Sequence, residues 1–347
     1  MSIYFNTASA GILPKESQYD LPDLLSELTN NPSNIYQSTR EDYIEPITAN
    51  FQKLIDAEQN TTAVIPNFSY GISSFVTCLS KNSKVLLYKH DYPSLIEPFK
   101  INLFPVIWFD HEEDSSLSVS KIKELILHHK INVLAISHIQ YLTGFMLNLK
   151  ELGEFCRKHH VLLIVDATQS TSAIPLSVQQ NYIDVLLTSN YKWLNAGFGS
   201  GFIYISPAAQ QKHVPKIGGF GSYEWINSQW ELTNSIRRYE PGHQSLISLF
   251  FLKKALESRL EISVAKVYDH NINLANYFLN HCPSFIEPLK WNTSQTSIIS
   301  FPATQKMYKK LHDKKIITTY RANKIRLSFH YHNSINEIDK MINVLND

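Results

Sequence analysis

Glycine is scarce in this chain. There are 11 in 347 residues, about 3%, under half of the roughly 7% found in average proteins. Six of the 11 fall between Gly197 and Gly221. A chain so sparing elsewhere needs close backbone approach in that stretch. Cysteine is scarcer still. Cys78, Cys156 and Cys282 are far apart, odd in number and without metal-ligand spacing, which excludes a disulfide framework and a structural zinc site, and no metal ligand is expected. Excess charge is absent too, with a formal net charge of +1, so neither nucleic acid nor an anionic membrane surface is an expected partner. No apolar run approaches the roughly 20 residues of a membrane helix. The opening MSIYFNTASAGILPK has no basic leader, and Asn6, Thr7 and Ser9 interrupt its apolar residues, so it does not read as a signal peptide. A soluble, cytoplasmic protein is expected.

What is present is apolar content. Hydrophobic residues make up 44% of the chain, enough for one large core and a smaller one, which excludes intrinsic disorder. VLLY (85–88), PVIWF (105–109), NVLAIS (132–137), VLLIVD (161–166) and DVLLTS (184–189) are short apolar runs separated by helical stretches. Runs apolar at consecutive positions suit strands covered on both faces. In NLKELGEFCRKHH, Asn148 can cap a helix that buries Leu149, Leu152, Phe155 and Cys156. The alternation predicts an α/β fold with a mostly parallel sheet flanked by helices. GFIYIS (201–206) follows a glycine-rich turn too short for a crossover helix, so it is expected antiparallel to its neighbour. After Pro241 come two long amphipathic helices, the strands TSIISFP and KIRLSFH, and a last helix. We expect an N-terminal segment (1–15) packing on the small domain or the active site, a large domain (16–254) and a smaller α+β domain (255–347).

Two segments carry chemistry. Asp166 ends an apolar strand, and open α/β sheets bind ligands at the carboxyl ends of their strands; a helix cap or loop ligand is the alternative for a lone aspartate there. In TSNYKWLNAGFGSG, Lys192 follows an apolar strand, sits between Tyr191 and Trp193, and precedes Gly197, Gly199 and Gly201. Most lysines are solvated, but one so flanked is expected to be desolvated, which lowers its pKa and makes a nucleophilic amine available for Schiff-base chemistry.

Together these segments resemble the fold-type I pyridoxal-phosphate enzymes, and within them the class V aminotransferases. In that family an apolar strand ends in Asp-x-x-Gln, followed about two dozen residues later by Ser-x-[His/Tyr]-Lys. Asp166, Gln169, Ser189, Tyr191 and Lys192 stand in those places. The likeness extends over YFNTASAGILP, HDYPSLIEPF, SHIQYLTG, RYEPGHQ and IRLSFHYHNSINEIDKM. It implies pyridoxal 5'-phosphate held as an internal aldimine on Lys192, which also shuttles a proton. It implies that Asp166 pairs with the ring nitrogen, Gln169 bonds the phenolic oxygen and Tyr92 stacks on the ring. For the phosphate it implies the backbone of Phe68 and Ser69 with the Ser69 hydroxyl, then Ser189 and Tyr191, and His243 reaching from a neighbouring subunit of a homodimer. The likeness implies that Arg326 binds the substrate carboxylate, a surface-strand arginine being the alternative, and Tyr141, His138 and Asn6 either line the pocket or have core or loop roles. Gly218, Gly219 and Gly221 resemble the family's glycine loop near the subunit interface.

Cysteine desulfurases of the family carry a nucleophilic cysteine before the carboxylate-binding arginine, and none stands between Pro302 and Arg326. Gln140, Tyr141 and Tyr191 bring the chain nearer to the isopenicillin N epimerase and kynureninase branches. The expected function is a pyridoxal-phosphate enzyme acting on an amino acid or small amine, with aminotransfer first and β-elimination, epimerisation, kynureninase-like hydrolysis or a non-catalytic role as alternatives.

Overall fold

A computed structural model describes residues 2–114, 116–289 and 295–346. Its centre is a seven-stranded sheet made by β2 (Thr62–Ile65), β3 (Val85–Tyr88), β4 (Val106–Phe109), β5 (Val133–Ser137), β6 (Leu162–Asp166), β7 (Val185–Ser189) and β8 (Gly201–Ile205); β1 (Ile3–Tyr4) lies elsewhere. The spatial order is β2-β8-β7-β6-β5-β3-β4. Pairings from β4 through β7 are parallel. β8 is antiparallel to both β7 and β2, as the short glycine turn before it requires. β2 had no counterpart among the expected strands; TTAVIP is a short run without a distinguishing pattern.

The consecutive apolar residues divide between two layers. Leu86, Leu134, Leu163, Leu186 and Phe202 point into one core, while Val85, Ala135, Ile164, Leu187 and Ile203 point into the other. Period-2 alternation across a doubly covered sheet therefore accounts for the unbroken apolar sequence. Helices fill both layers. In α1 (Phe68–Val76), Asn67 accepts a hydrogen bond from the Tyr70 amide as N-cap. α2 (Pro93–Ile101) begins right after Tyr92. In α3 (Leu149–Lys158), Asn148 caps the Glu151 amide, and Leu149, Leu152 and Cys156 are buried; Phe155 is only half-buried.

A third core surrounds a smaller sheet of β11 (Ile298–Pro302), β13 (Thr319–Arg321) and β14 (Lys324–Ser328), ordered β11-β14-β13. The expected change at residue 254/255 falls inside α4 (Leu246–Ile262), whose Leu249, Leu252, Ala255 and Leu256 still pack on the large sheet's core. α5 (Val264–His281) instead places Leu274, Ala275 and Phe278 in the third core. Between them Ser263 takes φ 70°, which turns the chain. The N-terminal residues join this part: β1 pairs in parallel with β12 (Ile316–Ile317), and Phe5 is buried in the third core. From there the segment runs to the large sheet, where the Gly11 amide donates to the Tyr191 carbonyl at 2.7 Å.

After Gly218 and Gly219 comes an antiparallel hairpin, β9 (Tyr223–Ile226) and β10 (Gln229–Leu232), which the sequence reading did not anticipate. Phe220, Trp225 and Trp230 on and beside it are 63%, 61% and 54% exposed. Among the described residues no helix is long and apolar enough to cross a membrane.

Candidate active site

The carboxyl ends of β5, β6 and β7 and the turn after β3 open onto one cleft. Parallel strands deliver the side chains that follow them to the same edge of the sheet, which explains why segments far apart in sequence meet here. Tyr92, Asp166, Gln169, Ser189, Tyr191 and Lys192 line it together with Phe68 and Tyr141. A wider groove lies at the opposite edge of the sheet, among Arg157, His160, Asp184, Lys212 and His213. It gathers the strands' amino ends and lacks the buried amine and carboxylate of the cleft.

Lys192 is 7% exposed. Burial pulls its amine down to about 8, with Asp166 acting to raise it and Arg326 to lower it further. Its Nζ stands 5.5 Å from the Tyr92 ring centre and 5.7 Å from that of Tyr191. Asp166 is buried, and burial raises its carboxyl against the bonds donated by Thr168 and the charge of Lys192. The Thr168 amide donates to Asp166 Oδ1 at 2.8 Å, and the Thr168 hydroxyl oxygen accepts from the Ser189 amide at 3.2 Å. Thr168 thus ties the end of β6 to the end of β7. It stands between the two motif residues in Asp-Ala-Thr-Gln, the one sequence signal that could have found it.

Gln169 is held at both ends of its amide. Nε2 donates to the Ala8 carbonyl at 3.0 Å, and Oε1 accepts from Trp193 Nε1 at 2.7 Å. One Nε2 hydrogen remains for a ligand in the cleft. Tyr92 packs edge-on against Tyr141 at 5.4 Å. Its turn is fixed by Asp91, whose carboxylate accepts from the Ser137 amide, the Ser137 hydroxyl and the Tyr92 amide at 2.9, 2.5 and 2.8 Å. Burial still pushes Asp91 up to about 6, against those bonds and with Asp166 adding to the rise. Neither Asp91 nor Ser137 was anticipated.

Arg326, on β14 of the smaller sheet, is not among the cleft's lining residues but bonds the backbone of Tyr141, which is. Its Nη1 donates to the Tyr141 carbonyl, and its Nη2 to the Ser9 and Thr319 hydroxyls, at 2.5, 2.5 and 3.3 Å. Among the described residues Nε has no partner, and burial lowers the guanidinium to about 10. Among the described residues no salt bridge joins Lys192, Asp166 or Arg326 to a charged side chain. Asn6 Oδ1 accepts from Thr319 at 2.5 Å, one bond away from Arg326. Buried charges without a salt-bridge partner are costly, so this arrangement favours a ligand bearing complementary charge.

Some expected residues stand apart. Ser69, beside Phe68 in the first turn of α1, bonds the Ser94 hydroxyl at 2.9 Å and is not among the cleft's lining residues. His138 is buried, its Nδ1 without a partner among the described residues and its imidazole lowered to about 4 by burial; with Met146 it lines a separate cavity. His243 is exposed and packs on Tyr36 at 5.0 Å, away from the cleft within this chain.

Glycine and a buried histidine position the segment after Lys192. A Cβ on Gly11 would lie 1.9 Å from the Lys192 carbonyl oxygen, so this contact requires glycine. One on Gly201 would meet the Thr188 carbonyl at 2.6 Å and the Asn67 backbone at 3.3 Å, so its absence lets the start of α1 approach β7. His330 Nε2 contacts the Trp193 carbonyl at 3.0 Å and Asn195 Oδ1 at 2.7 Å, and its Nδ1 meets Asn271 Nδ2 at 3.3 Å. Since a carbonyl only accepts, Nε2 carries the hydrogen and Nδ1 accepts from Asn271. Burial holds this imidazole neutral, with Arg259 adding to the effect. Arg259 Nη2 reaches the same carbonyl at 3.2 Å.

Comparison with known proteins follows the same outline. The family described as Aminotransferase class-V matches residues 22–341. The "Uncharacterized aminotransferase YcbU" of Bacillus subtilis is 24% identical over 83% of this chain and 79% of its own length. A "Probable cysteine desulfurase" of Borreliella burgdorferi is 24% identical over 98% of this chain and 90% of its own. Among solved structures, a cysteine desulfurase from Thermococcus onnurineus superimposes with a TM-score of 0.86 at 17% identity, covering 99% of this chain and 94% of that one. A cystine C-S lyase superimposes at 0.88 and 19% identity, covering 100% and 97%. These two likenesses concern the fold.

Proposed function

Because this chain belongs to the aminotransferase class-V family, we propose that it binds pyridoxal 5'-phosphate in the cleft around Lys192 and transfers the amino group of an amino acid or small amine. The observation that carries the reading is an aromatic-walled cleft lined by Lys192 and Asp166, with Arg326 beside it on the Tyr141 carbonyl, three buried ionisable groups without salt-bridge partners among the described residues.

The residues fit the cofactor. Asp166 offers a buried carboxylate to a protonated ring nitrogen, the Tyr92 side chain a face, and Gln169 one spare amide hydrogen. The amides of Phe68 and Ser69 open α1 and have no intrahelical acceptor, which suits a phosphate, with the Ser189 and Tyr191 side chains across from them. When bound, pyridoxal phosphate supplies an electrophilic carbon for an amine and a ring that accepts electron density from the substrate's α-carbon. Lys192 holds the nucleophilic amine and, once released, is placed to move the α-proton because its amine sits near neutral pKa. Arg326, with Nε unclaimed, orients the substrate carboxylate. Tyr141 and Asn6 border it.

Three thiols bear on the reaction subtype. Cys156 is in the large core with its thiol pushed up to about 12 by burial, Cys282 ends α5, and Cys78 contacts Tyr239. None lines the cleft, which supports aminotransfer over persulfide-forming desulfuration. All three are unpaired, in accord with a cytoplasmic location. The exposed aromatic surface of Phe220, Trp225 and Trp230, with His243 beside Phe220, supports a homodimer closed over this face and His243 directed at the partner's phosphate.

The test is a titration of the cofactor-loaded protein with single amino acids, without a keto-acid acceptor. Aminotransfer predicts one keto acid released per site and conversion of the cofactor to its aminated form. Repeated pyruvate release without acceptor would assign β-elimination instead.

A further inference from the structure

At the outer edge of the large sheet β3 and β4 end side by side, and the turns after them bring three metal-binding atoms together. His90, Asp110 and His111 each offer one ligand atom, all within 4.8 Å of one another. Asp110 Oδ1 lies 3.2 Å from His90 Nε2 and 2.9 Å from His111 Nδ1. Ligands bound to one ion at about 2.0–2.1 Å stand roughly 2.8–3.4 Å apart in octahedral or tetrahedral geometry. Both carboxylate–imidazole distances already have that spacing, and the two imidazole nitrogens lie within 4.8 Å of one another. The Tyr88 hydroxyl, 2.9 Å from His111 Nδ1, is a further oxygen at the same place. Two imidazoles and a carboxylate suit zinc, nickel or copper rather than magnesium or calcium, which take oxygen. The side chains are a third to a half exposed, so an ion can enter and water can complete its shell. No metal site is expected from ligand spacing in the sequence, because the ligands come from two segments that only the parallel pairing of β3 and β4 brings together.

We propose that His90, Asp110 and His111 bind one zinc-type divalent ion per chain. The groups facing it are Lys89, whose Nζ is 3.6 Å from Asp110 Oδ2, and Tyr88; Asp110 Oδ1, the oxygen nearest both imidazoles, is the one that would bind. The site adjoins the cleft. The His90 carbonyl accepts from Gln140 Nε2 at 3.1 Å, and the next residue, Asp91, fixes Tyr92 and Ser137. A bound ion therefore clamps the turn that carries Tyr92.

The test uses the cofactor-loaded protein, stripped with EDTA, desalted and titrated calorimetrically with zinc. One ion per chain is expected. His90→Ala and His111→Ala each weaken binding tenfold or more, and the double variant removes it. His128→Ala/His129→Ala, at a histidine pair in the last turn of the helix Val119–His129, leaves it unchanged. Cobalt should give visible d–d bands in the native chain and none in the double variant. An unchanged cofactor spectrum and near-ultraviolet dichroism show that the variants are folded. A native isotherm in the double variant, or no zinc bound by the native chain beyond that variant's level, overturns the proposal.

Discussion

The amine of Lys192 permits the most quantitative test, because its surroundings act on it with opposite signs. With its pKa near 8, half of the amine is neutral at pH 8, against about 0.3% for an ordinary lysine. In the cofactor-free protein its capture of an aldehyde should be about 150-fold faster at pH 8 than that of an ordinary lysine of equal intrinsic reactivity. The assay is the rate of pyridoxal capture as a function of pH, trapped with cyanoborohydride and assigned by peptide mapping. Its midpoint should lie near 8. Arg326→Gln removes a cation that lowers the pKa, so the midpoint should rise; Asp166→Asn removes an anion that raises it, so the midpoint should fall. The same shift is linked to stability. The folded-state pKa lies below the unfolded one, so between about pH 8 and 10.5 the native chain has released a proton the unfolded chain retains. Stability of the cofactor-free protein from this group should therefore rise with pH across that window, by up to about 3 kcal/mol, and be absent below it. A midpoint at the ordinary lysine value, or both variants shifting it in one direction, would refute the electrostatic account of the cleft.

Two positions test how the amine is held. Gly11→Ala forces a methyl group against the Lys192 carbonyl oxygen and should cost about 1–3 kcal/mol in denaturant unfolding while weakening cofactor retention; wild-type values for both would show that the contact is dispensable. His330→Ala leaves the Trp193 carbonyl and Asn271 without their ring partner and should cost about 1–3 kcal/mol, with faster cofactor dissociation measured by absorbance. Lost stability with unchanged dissociation would confine His330 to a packing role.

The parts of this site that were legible in the sequence are those that lie beside apolar strands. Asp166 and Lys192 stand at or after runs whose apolarity predicts buried parallel strands, and strand ends meet in space; Gln169 and Ser189 were expected from the family resemblance. The expected antiparallel β8 followed from a turn too short to cross over. What was not legible depends on distant pairing. Gly11 needs glycine only because the N-terminal segment passes the Lys192 carbonyl. His330 lies far from Trp193 in sequence, and its aromatic neighbourhood HYH gives no indication of the carbonyl it bonds. Asp91 was overlooked beside the more conspicuous Tyr92, since a buried carboxylate bonded to Ser137 cannot be told from a solvated turn residue without the register of β3 and β5. β2 and the exposed hairpin after Gly219 are short runs in which propensity alone does not fix pairing.

The central claim is that Lys192 carries the cofactor. Protein incubated with pyridoxal phosphate, reduced with borohydride and digested should yield a single modified peptide, bearing the phosphopyridoxyl group on Lys192, and the Lys192→Ala variant should yield none. Modification at another lysine, or a protein that stays colourless and unmodified with cofactor present, would contradict it.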